Sequence, residues 1–316
     1  MIGTMTESLA DRRVVAIGGG TGLPLVLRAL RDIGVADPTA VVTMADDGGS
    51  SGRLRRELGI LPPGDIRNCL VALADPAEER LAQVFNYRFT DGEGIAGHAL
   101  GNLILAALAD QAGSFEDAVR LAGRHLKIHG QVLPSTYDDV VLHGLDEEGN
   151  EISGQASVAN NDVAMFRVSM TPANATANPL AVQAILDADT VLIGPGSLYT
   201  SLIPNVLIPG VLEALRETKA HVVYLCNVAN GRGETTGFDS YDHVAALYRH
   251  GLKGLIDTVV VARGPLCPDD CRAESIAELG VAVHLADLAN PENPLRHDPT
   301  SLREVLGAIL APVGVA

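Results

Sequence analysis

Short apolar runs that end in small or polar residues recur along this chain, and each is followed by a stretch with helical spacing. The first run, residues 14–17, ends at Gly18, and apolar residues recur at helical spacing from Leu23 to Leu30. Apolar positions at i, i+3, i+4 and i+7 line one face of a helix. This segment therefore predicts a strand, a tight turn and a helix.

The same pattern returns throughout the sequence. Further apolar runs lie at residues 40–45, 190–193, 221–226 and 256–262. Helices are predicted at residues 65–74, 78–87, 100–111, 115–126, 179–186, 207–217, 241–249 and 301–310. Uninterrupted apolar strands that alternate with helices are typical of a parallel sheet covered on both faces. We therefore predict an α/β fold with a doubly wound, mostly parallel sheet.

One region has a different texture. Residues 127–170 contain alternating apolar and polar positions around a turn at residues 147–150, a pattern that predicts a small antiparallel β insertion. Elsewhere no repeat, long linker or charged tail interrupts the pattern. We expect a single domain over residues 1–316 that contains this insertion, with a flexible N-terminus at residues 1–12.

Composition restricts the partners. The 316 residues are 47% hydrophobic, and 23 Lys and Arg against 39 Asp and Glu give a net charge of −16. This charge repels nucleic acid and anionic lipid unless a basic patch offsets it, and the sequence has no such patch. A phosphorylated small molecule is still a plausible ligand, because backbone N–H groups at a helix start attract anions whatever the global charge.

Targeting signals and disulfides are not expected. Residues 1–13 lack the apolar segment of a secretory signal, and residues 100–108 are too few to span a bilayer. We therefore expect a cytoplasmic protein without a membrane span. Cys267 and Cys271 have no second Cys or His pair at zinc spacing, so reduced thiols without a structural role are the expectation for all four cysteines.

The first candidate site is the turn Gly18-Gly19-Gly20-Thr21-Gly22. Because glycines have no side chains, phosphate oxygens can approach the backbone N–H groups at the start of the next helix. Leu23 occupies the place of the third glycine in the dinucleotide fingerprint, and no P-loop lysine is present. A purely structural tight turn remains the alternative.

The second is the segment of residues 46–53. Asp46 and Asp47 could ligate Mg²⁺, bind a ribose or act as a general base. A capped turn uses the same residue types. Because the run of Gly and Ser at residues 48–52 is long for a turn, we expect a mobile functional loop.

Two helix starts follow the second candidate. Asp65 is placed to cap its helix, and Arg67 or Asn68 in the first turn could reach a ligand. His98 opens the helix at residues 100–111, where we expect a capping or core role and no catalysis.

The last candidates follow two later strands. Gly194-Pro195-Gly196-Ser197 forms a second turn that suits a diphosphate or a sugar, and Asn227 ends the next strand. Asp239 or Ser240 is expected to cap the following helix. Ser197 is not in a nucleophile elbow, so any catalysis would rest on the carboxylates.

Several long motifs resemble one family. They are residues 17–23 (IGGGTGL), 45–55 (ADDGGSSGRLR), 61–73 (LPPGDIRNCLVAL), 97–103 (GHALGNL), 132–136 (VLPST) and 193–205 (IGPGSLYTSLIPN). Together they resemble the YvcK-like gluconeogenesis factors, bacterial relatives of the CofD-like 2-phospho-L-lactate transferases. The resemblance extends from about Val14 to Asp298.

The resemblance implies a Rossmann-like fold and a cytoplasmic protein needed for cell shape and envelope synthesis during gluconeogenic growth. It also implies binding of UDP-N-acetylglucosamine. Carried over by motif, the two glycine turns would line the nucleotide crevice, Asp46, Asp47 and Asn68 would form its polar wall, and Arg296 would hold the sugar nucleotide. Residues 263–278 depart from the family because they are shortened and lack its tyrosine.

The residues and the resemblance together give two functions. The first is a regulatory UDP-sugar-binding protein without catalytic residues, with an unknown protein partner and an open oligomeric state. Its ligand-binding residues would be Gly18, Gly19, Gly20, Thr21, Gly22, Asn68, Gly194, Gly196, Ser197, Asn227 and Arg296. The alternative is a Mg²⁺-dependent transferase that uses Asp46 and Asp47. A nicotinamide-dependent oxidoreductase is disfavoured by Leu23.

Overall fold

The computed structural model describes residues 8–230, 233–263 and 272–311. Its strands are β1 (Val14–Gly18), β2 (Thr39–Val42), β3 (Gln131–Pro134), β4 (Val141–Asp146), β5 (Glu151–Ser153), β6 (Met165–Thr171), β7 (Thr190–Ile193), β8 (His221–Leu225), β9 (Thr258–Ala262) and β10 (Ala282–Ala286). Seven of these form a parallel sheet in the order β10-β9-β8-β7-β1-β2-β3. The predicted parallel sheet is confirmed.

Helices cover both faces of this sheet, as a doubly wound α/β fold requires. The helices are α1 (Gly22–Asp32), α2 (Gly49–Leu58), α3 (Gly64–Leu73), α4 (Glu79–Asn86), α5 (Leu100–Ala112), α6 (Phe115–His125), α7 (Gln155–Ala159), α8 (Pro179–Asp187), α9 (Ile203–Val206), α10 (Pro209–Glu217), α11 (Ser240–Leu247), α12 (Ala273–Ala277) and α13 (Pro299–Leu310). Two π-helical turns, Leu198–Leu202 and Tyr248–Leu252, adjoin α9 and α11.

The strand order changes direction at β1. The chain runs outward from β1 to β2 and β3, and then returns to β7 on the other side of β1. In the central register, Val15 pairs with Thr39 on β2 and with Val191 on β7. Ligands of open α/β sheets bind beyond the carboxyl ends of the strands at such a switch point. The ends of β1 and β7 are where the two glycine turns lie.

Burial explains why the strands read as uninterrupted apolar runs. Every residue of β1, β2 and β7 is buried, since helices pack on both faces of the sheet. Ala16 and Ile17 are fully inaccessible in the middle of the sheet. The apolar pattern of these strands is therefore a consequence of the double covering.

The predicted β insertion is a three-stranded antiparallel sheet in the order β5-β4-β6. Its burial alternates along β4, with every second residue buried, which is the period of a sheet with one covered face. Strand β3 also lies within residues 127–170, but it pairs in parallel with β2 at the edge of the main sheet. The antiparallel sheet itself begins at Val141.

The prediction of a mobile loop over residues 46–53 is wrong from Gly49 onward, because α2 begins there. Tertiary contacts account for the Gly and Ser content of its first turn. A Cβ at position 52 would lie 1.7 Å from the Asp47 carbonyl oxygen, so only glycine fits. Ser51 Oγ accepts a hydrogen bond from the Gly64 N–H at 3.1 Å, which joins α2 to α3.

The predicted helices lie close to their expected positions, whereas the short helices α7, α9 and α12 were not predicted. Polar side chains cap several of the helices. Asp239 caps α11 in a reciprocal capping box with Asp242, as predicted for this position. Ser114 and Asp298 accept hydrogen bonds from the first turns of α6 and α13. The caps fix where these helices begin.

Some predictions fall on residues outside the described ranges. These are residues 1–7 of the N-terminal segment, residues 264–271 of the shortened segment 263–278, and Cys267 with Cys271. In the described ranges, Cys69 and Cys226 are free and buried. No single helix there has the length and apolar character to cross a membrane, although the bent pair Leu198–Val206 and Pro209–Glu217 passes that test together.

Candidate functional site

The turn after β1 leaves the start of α1 open. Gly20 has a φ of +63°, a left-handed conformation that favours glycine. Thr21 is the N-cap of α1, and its side chain makes no capping hydrogen bond. The N–H groups of Gly22 and Leu23 therefore lack the usual side-chain acceptor and can meet an anion, while Pro24 has no N–H to offer.

The second turn packs directly against the first. A Cβ at position 22 would lie 2.1 Å from the Pro195 carbonyl oxygen, so the contact requires a glycine. Asn227 holds the second turn from β8, because its Oδ1 accepts from the Gly196 N–H at 3.1 Å and its Nδ2 donates to the Gly196 carbonyl at 2.9 Å. The two turns form one preformed floor at the carboxyl ends of β1 and β7.

A cavity of about 640 Å³ opens above this floor. Six of the residues singled out by sequence line it: Thr21, Gly22, Gly196, Ser197, Asn227 and Arg296. Gly18, Gly19, Gly20 and Gly194 shape the turns beneath the cavity but do not line it, and Asn68 lies elsewhere. The rest of the lining comes from Pro195, Glu234, α1 and the segments 228–230 and 290–299.

Two guanidinium groups line the cavity. Arg296 is exposed in the loop before α13, and Arg28 lies on α1. Within the described part of the chain, neither forms a hydrogen bond or a salt bridge. Partial desolvation and the nearby Arg31 lower the pKa of Arg28. Sequence reasoning missed Arg28, because helix periodicity alone does not show which residues face a cavity.

Glu234 is a second residue that sequence reasoning missed. It lines the cavity although it is only 3% exposed, and burial raises its pKa to about 7. Its carboxylate accepts from Thr200 Oγ1 at 3.1 Å and also bonds the Ser197 side chain and the Leu198 and Tyr199 backbone. Glu234 therefore anchors the π-helical turn at residues 198–202, and no local motif signals this role.

The carboxylates beyond β2 have separate roles. Asp47 accepts the backbone N–H groups of Gln155 and Ala156 at 2.9 and 2.8 Å, so it holds the start of α7 in the insertion. Asp46 accepts from the Gly48 N–H at 3.0 Å, and burial raises its pKa. Both carboxylates lie outside the cavity lining.

The prediction that Asp65 caps α3 is wrong. The N-cap of α3 is Pro63, and Asp65 instead reaches across to accept the Gly20 N–H at 2.7 Å. Burial raises the pKa of Asp65 to about 6, and the nearby Asp46 carboxylate adds to the rise. Asp46 and Asp65 thus form a desolvated acidic pair behind the first glycine turn.

Asn68 lies three residues after Asp65 on α3. Its Oδ1 accepts from the Arg67 guanidinium. Arg67 is 6% exposed, and its Nε has no hydrogen-bond partner among the described groups. Arg67 and Asn68 therefore act as a pair on α3, next to Asp65.

His98 lies in a buried polar cluster, as the expected core role implies. Its Nδ1 is 2.9 Å from Ser50 Oγ, and Asn102 Nδ2 donates to the same oxygen at 3.0 Å. Burial lowers the pKa of His98, which favours the neutral ring. The cluster ties α2 to the start of α5.

No group of three or more His, Cys, Asp or Glu side chains in the described ranges is arranged to hold a metal ion. The acidic pair therefore offers two carboxylates, and any further ligands of a cation there would be water or substrate oxygens.

A family model described as 2-phospho-L-lactate transferase CofD matches residues 14–302. The chain belongs to the CofD family. The match includes both glycine turns, the acidic pair and Arg296, so the CofD-family region contains the whole cavity floor.

Relatives of this CofD-family chain include a protein of Halalkalibacterium halodurans named "Gluconeogenesis factor". It is 44% identical over 258 residues, which are 82% of this chain and 80% of the relative. A Nostoc protein named "Putative gluconeogenesis factor" is 43% identical over 310 residues, 93% of this chain and 68% of that protein.

Solved structures agree with the fold. A crystal structure of a Bacillus halodurans protein has a TM-score of 0.85 and 39% identity, and the alignment covers 93% of this chain and 99% of that one. A second structure, described as a member of the upf0052 family from the same organism, has a TM-score of 0.85 and 38% identity. These values confirm the resemblance and the Rossmann-like α/β fold of this CofD-family chain.

Proposed function

We propose that this protein is a gluconeogenesis factor that binds a UDP-sugar, UDP-N-acetylglucosamine, in the cavity above the two glycine turns. The proposed role is regulatory, in the cytoplasm, and supports cell shape and envelope synthesis during growth on gluconeogenic carbon. The observation that carries it is the cavity itself, which joins an uncapped helix start to a free arginine. The names of the relatives support only the link to gluconeogenesis.

The chemistry of the cavity suits an anionic nucleotide. The open N–H groups of α1 and the Arg296 guanidinium provide donors for phosphate oxygens. The amide side chains of Asn290 and Asn293 lie on the same lining and provide donors for a ribose or a base. A volume of about 640 Å³ is typical of a small-molecule site.

The carboxylates of the cavity favour binding over catalysis. Glu234 is held by hydrogen bonds from the π-helical turn and its neighbours, so it has little freedom to move a proton to a ligand. Glu292 is the other carboxylate on the lining, and it is exposed. We therefore propose that the bound sugar nucleotide acts as a signal.

Calorimetry with the purified protein tests the ligand. We expect UDP-N-acetylglucosamine to bind, and Arg296→Ala to weaken binding about tenfold to a hundredfold, as the loss of a charge-assisted hydrogen bond implies. Arg80→Ala, on the exposed face of α4, is the control with the same change in charge. Absence of heat with UDP-N-acetylglucosamine, together with clear binding of another nucleotide, would contradict the assignment.

Growth tests the physiological role. A strain without the gene is expected to grow on glucose but to lose its shape on a gluconeogenic carbon source. The wild-type gene should restore its shape, and Arg296→Ala should not. If the wild-type and Arg296→Ala genes restore the shape equally well, ligand binding is not required for this role.

A second function is favoured by the acidic pair. Two desolvated carboxylates with raised pKa values gain from a nearby cation, so Asp46 and Asp65 fit a Mg²⁺ ion better than Asp47, whose oxygens are already occupied. Mg²⁺ would stabilise charge on a phosphoryl oxygen during transfer. Under this proposal the chain is a phospholactyl-type transferase.

The pair also gives this second function a sharp test. Asp46→Asn and Asp65→Asn should abolish transfer from a nucleotide-activated phospholactate to a deazaflavin acceptor, while Asp47→Asn should retain it in the folded protein. If the wild-type protein transfers nothing with phospholactate or phosphoenolpyruvate donors, the transferase proposal fails.

A further inference from the structure

Two guanidinium groups from opposite ends of the chain line one cavity. Arg28 comes from α1, directly after the first glycine turn, and Arg296 comes from the loop that precedes α13. Helices α1 and α13 pack against each other, which brings the two segments together. The cavity lining therefore carries two cationic side chains.

Arg28 lies on the same face of α1 as the open turn. Thr21, Leu25 and Arg28 are spaced four and three residues apart, and all three line the cavity. The seven residue steps from Thr21 to Arg28 rise about 10 Å along the helix axis. Side chains of a helix tilt toward its N-terminus, so the Arg28 side chain extends back toward the turn.

Within the described residues Arg28 has no ion-pair partner, and the field of the nearby Asp32 only partly offsets the groups that disfavour its charge. Desolvation and Arg31 both disfavour its charged form, and it makes no salt bridge with the described residues. The chain as a whole carries −16, so acidic partners are abundant elsewhere. Glu292 is the exposed carboxylate on this lining, against two arginines. An anion with more than one charge would balance the site.

We propose that Arg28 determines specificity by contacting a second phosphate of the ligand, so that the cavity selects diphosphates over monophosphates. The first phosphate lies on the N–H groups at the start of α1, and Arg28 and Arg296 hold the second from its two sides. This proposal depends on the proposed sugar-nucleotide function only for the identity of the group that is attached to the phosphates. Its core claim concerns the pair of phosphates alone.

Calorimetric titration with inorganic pyrophosphate and inorganic phosphate tests this claim without a nucleoside. The wild-type protein should bind pyrophosphate more tightly than phosphate. Arg28→Ala should weaken pyrophosphate binding about tenfold or more and bring the two affinities closer together. Arg28→Lys keeps the charge but loses the planar fork, so an intermediate result is expected.

The control is Arg80→Ala, which removes the same charge from α4 without touching the cavity. Unchanged circular dichroism and melting temperature would show that Arg28→Ala is folded. The inference is overturned if wild-type protein shows no preference for pyrophosphate, if Arg28→Ala keeps the wild-type preference, or if Arg80→Ala loses as much.

The two proposals fail in different ways. If UDP-N-acetylglucosamine does not bind but pyrophosphate binds in an Arg28-dependent manner, the sugar-nucleotide function is wrong and the diphosphate site stands. If UDP-N-acetylglucosamine binds wild-type protein and Arg28→Ala equally, the function stands and the role of Arg28 is wrong.

Discussion

Gly22 carries the contact between the two glycine turns, and it does so by having no side chain. The nearest atom to a Cβ at this position would be the Pro195 carbonyl oxygen, and that oxygen belongs to a turn that Asn227 holds on the other side. Neither partner has room to retreat. The contact between the two turns therefore depends on the small size of Gly22, although Gly22 has no side chain with which to make a polar contact.

We expect Gly22→Ala to lower the free energy of unfolding by about 1–3 kcal/mol, because the turns must separate to admit a methyl group. Gly307→Ala is the matched control, since a Cβ there meets no atom within 4 Å and the position lies inside α13. That control should be neutral or stabilising by about 0.5–1 kcal/mol. Urea unfolding measures both, and equal effects of the two substitutions would contradict the contact.

Glu234 predicts how stability depends on pH. Its pKa is about 7 in the folded protein, above the ordinary 4.5 of a solvated glutamate, so between these pH values the folded state keeps a proton that the unfolded state has lost. The free energy of unfolding should therefore fall as pH rises from about 4.5 to about 7, by up to about 3 kcal/mol. Glu234→Gln should remove this part of the slope.

Urea unfolding at about pH 5 and about pH 8 measures this slope for each variant. Asp65→Asn is a useful comparison, because the raised pKa of Asp65 acts in the same direction over a lower pH range. If the free energy of unfolding of Glu234→Gln falls with pH as steeply as that of wild type, ionisation of Glu234 does not destabilise the folded protein.

At the scale of elements, the acidic residues after β2 serve different structures. Asp47 reaches the start of α7, more than a hundred residues later, and so ties the antiparallel insertion to the main sheet. Asp46 stays with its own turn and faces Asp65. Of these two adjacent carboxylates, Asp47 therefore stabilises the structure and Asp46 belongs to the candidate acidic pair.

We expect Asp47→Ala to destabilise the insertion by about 1–2 kcal/mol, the usual effect of losing a helix cap. Limited proteolysis should then cut first within residues 141–171. Asp110→Ala, an exposed position on α5, removes the same charge and should leave the cleavage pattern unchanged. If Asp47→Ala resists proteolysis as wild type does, the two hydrogen bonds do not hold the insertion.

Five strands of the parallel sheet, most of the helices and the two glycine turns could be predicted from sequence, because buried parallel strands give long apolar runs. Strand β10 was missed because most of its residues are not buried, and β3 was assigned to the insertion. Helix α2 could not be predicted in this way, since Gly49, Ser50 and Ser51 are poor helix formers in isolation. Their small side chains serve contacts with α3 and α5 that exist only in the folded chain.

Parts of the candidate site were also hidden from sequence. Asp65 has the local pattern of a helix cap, but its partner Gly20 lies 45 residues earlier. Glu234 and Arg28 have no motif of their own. Their importance comes from the cavity they line, which local periodicity does not describe.

At the scale of the whole molecule, the net charge of −16 is spread over a surface whose ion pairs are mostly exposed, such as Arg120 with Asp117 and Arg263 with Asp287. Exposed pairs contribute little, while the excess of negative charge opposes the compact state. Added salt should therefore weaken the repulsion between surface charges more than it weakens the attraction within ion pairs.

We therefore expect the urea midpoint to rise when NaCl is increased from about 0.05 M to about 0.5 M. KCl should have the same effect, because screening depends on ionic strength and not on the identity of the cation. A midpoint that falls with salt would mean that the ion pairs outweigh the general repulsion.

The strand order has a consequence for synthesis. β1 lies in the centre of the sheet, yet its partner β7 is made much later, and Arg13 beside β1 pairs with Asp189 beside β7 across 176 residues. While the ribosome adds the intervening chain, one side of β1 has no strand to pair with, and such an edge invites pairing with other chains. The nascent protein is thus most prone to aggregation before Thr190–Ile193 emerges, and a chaperone that covers the first half during that interval would help it most.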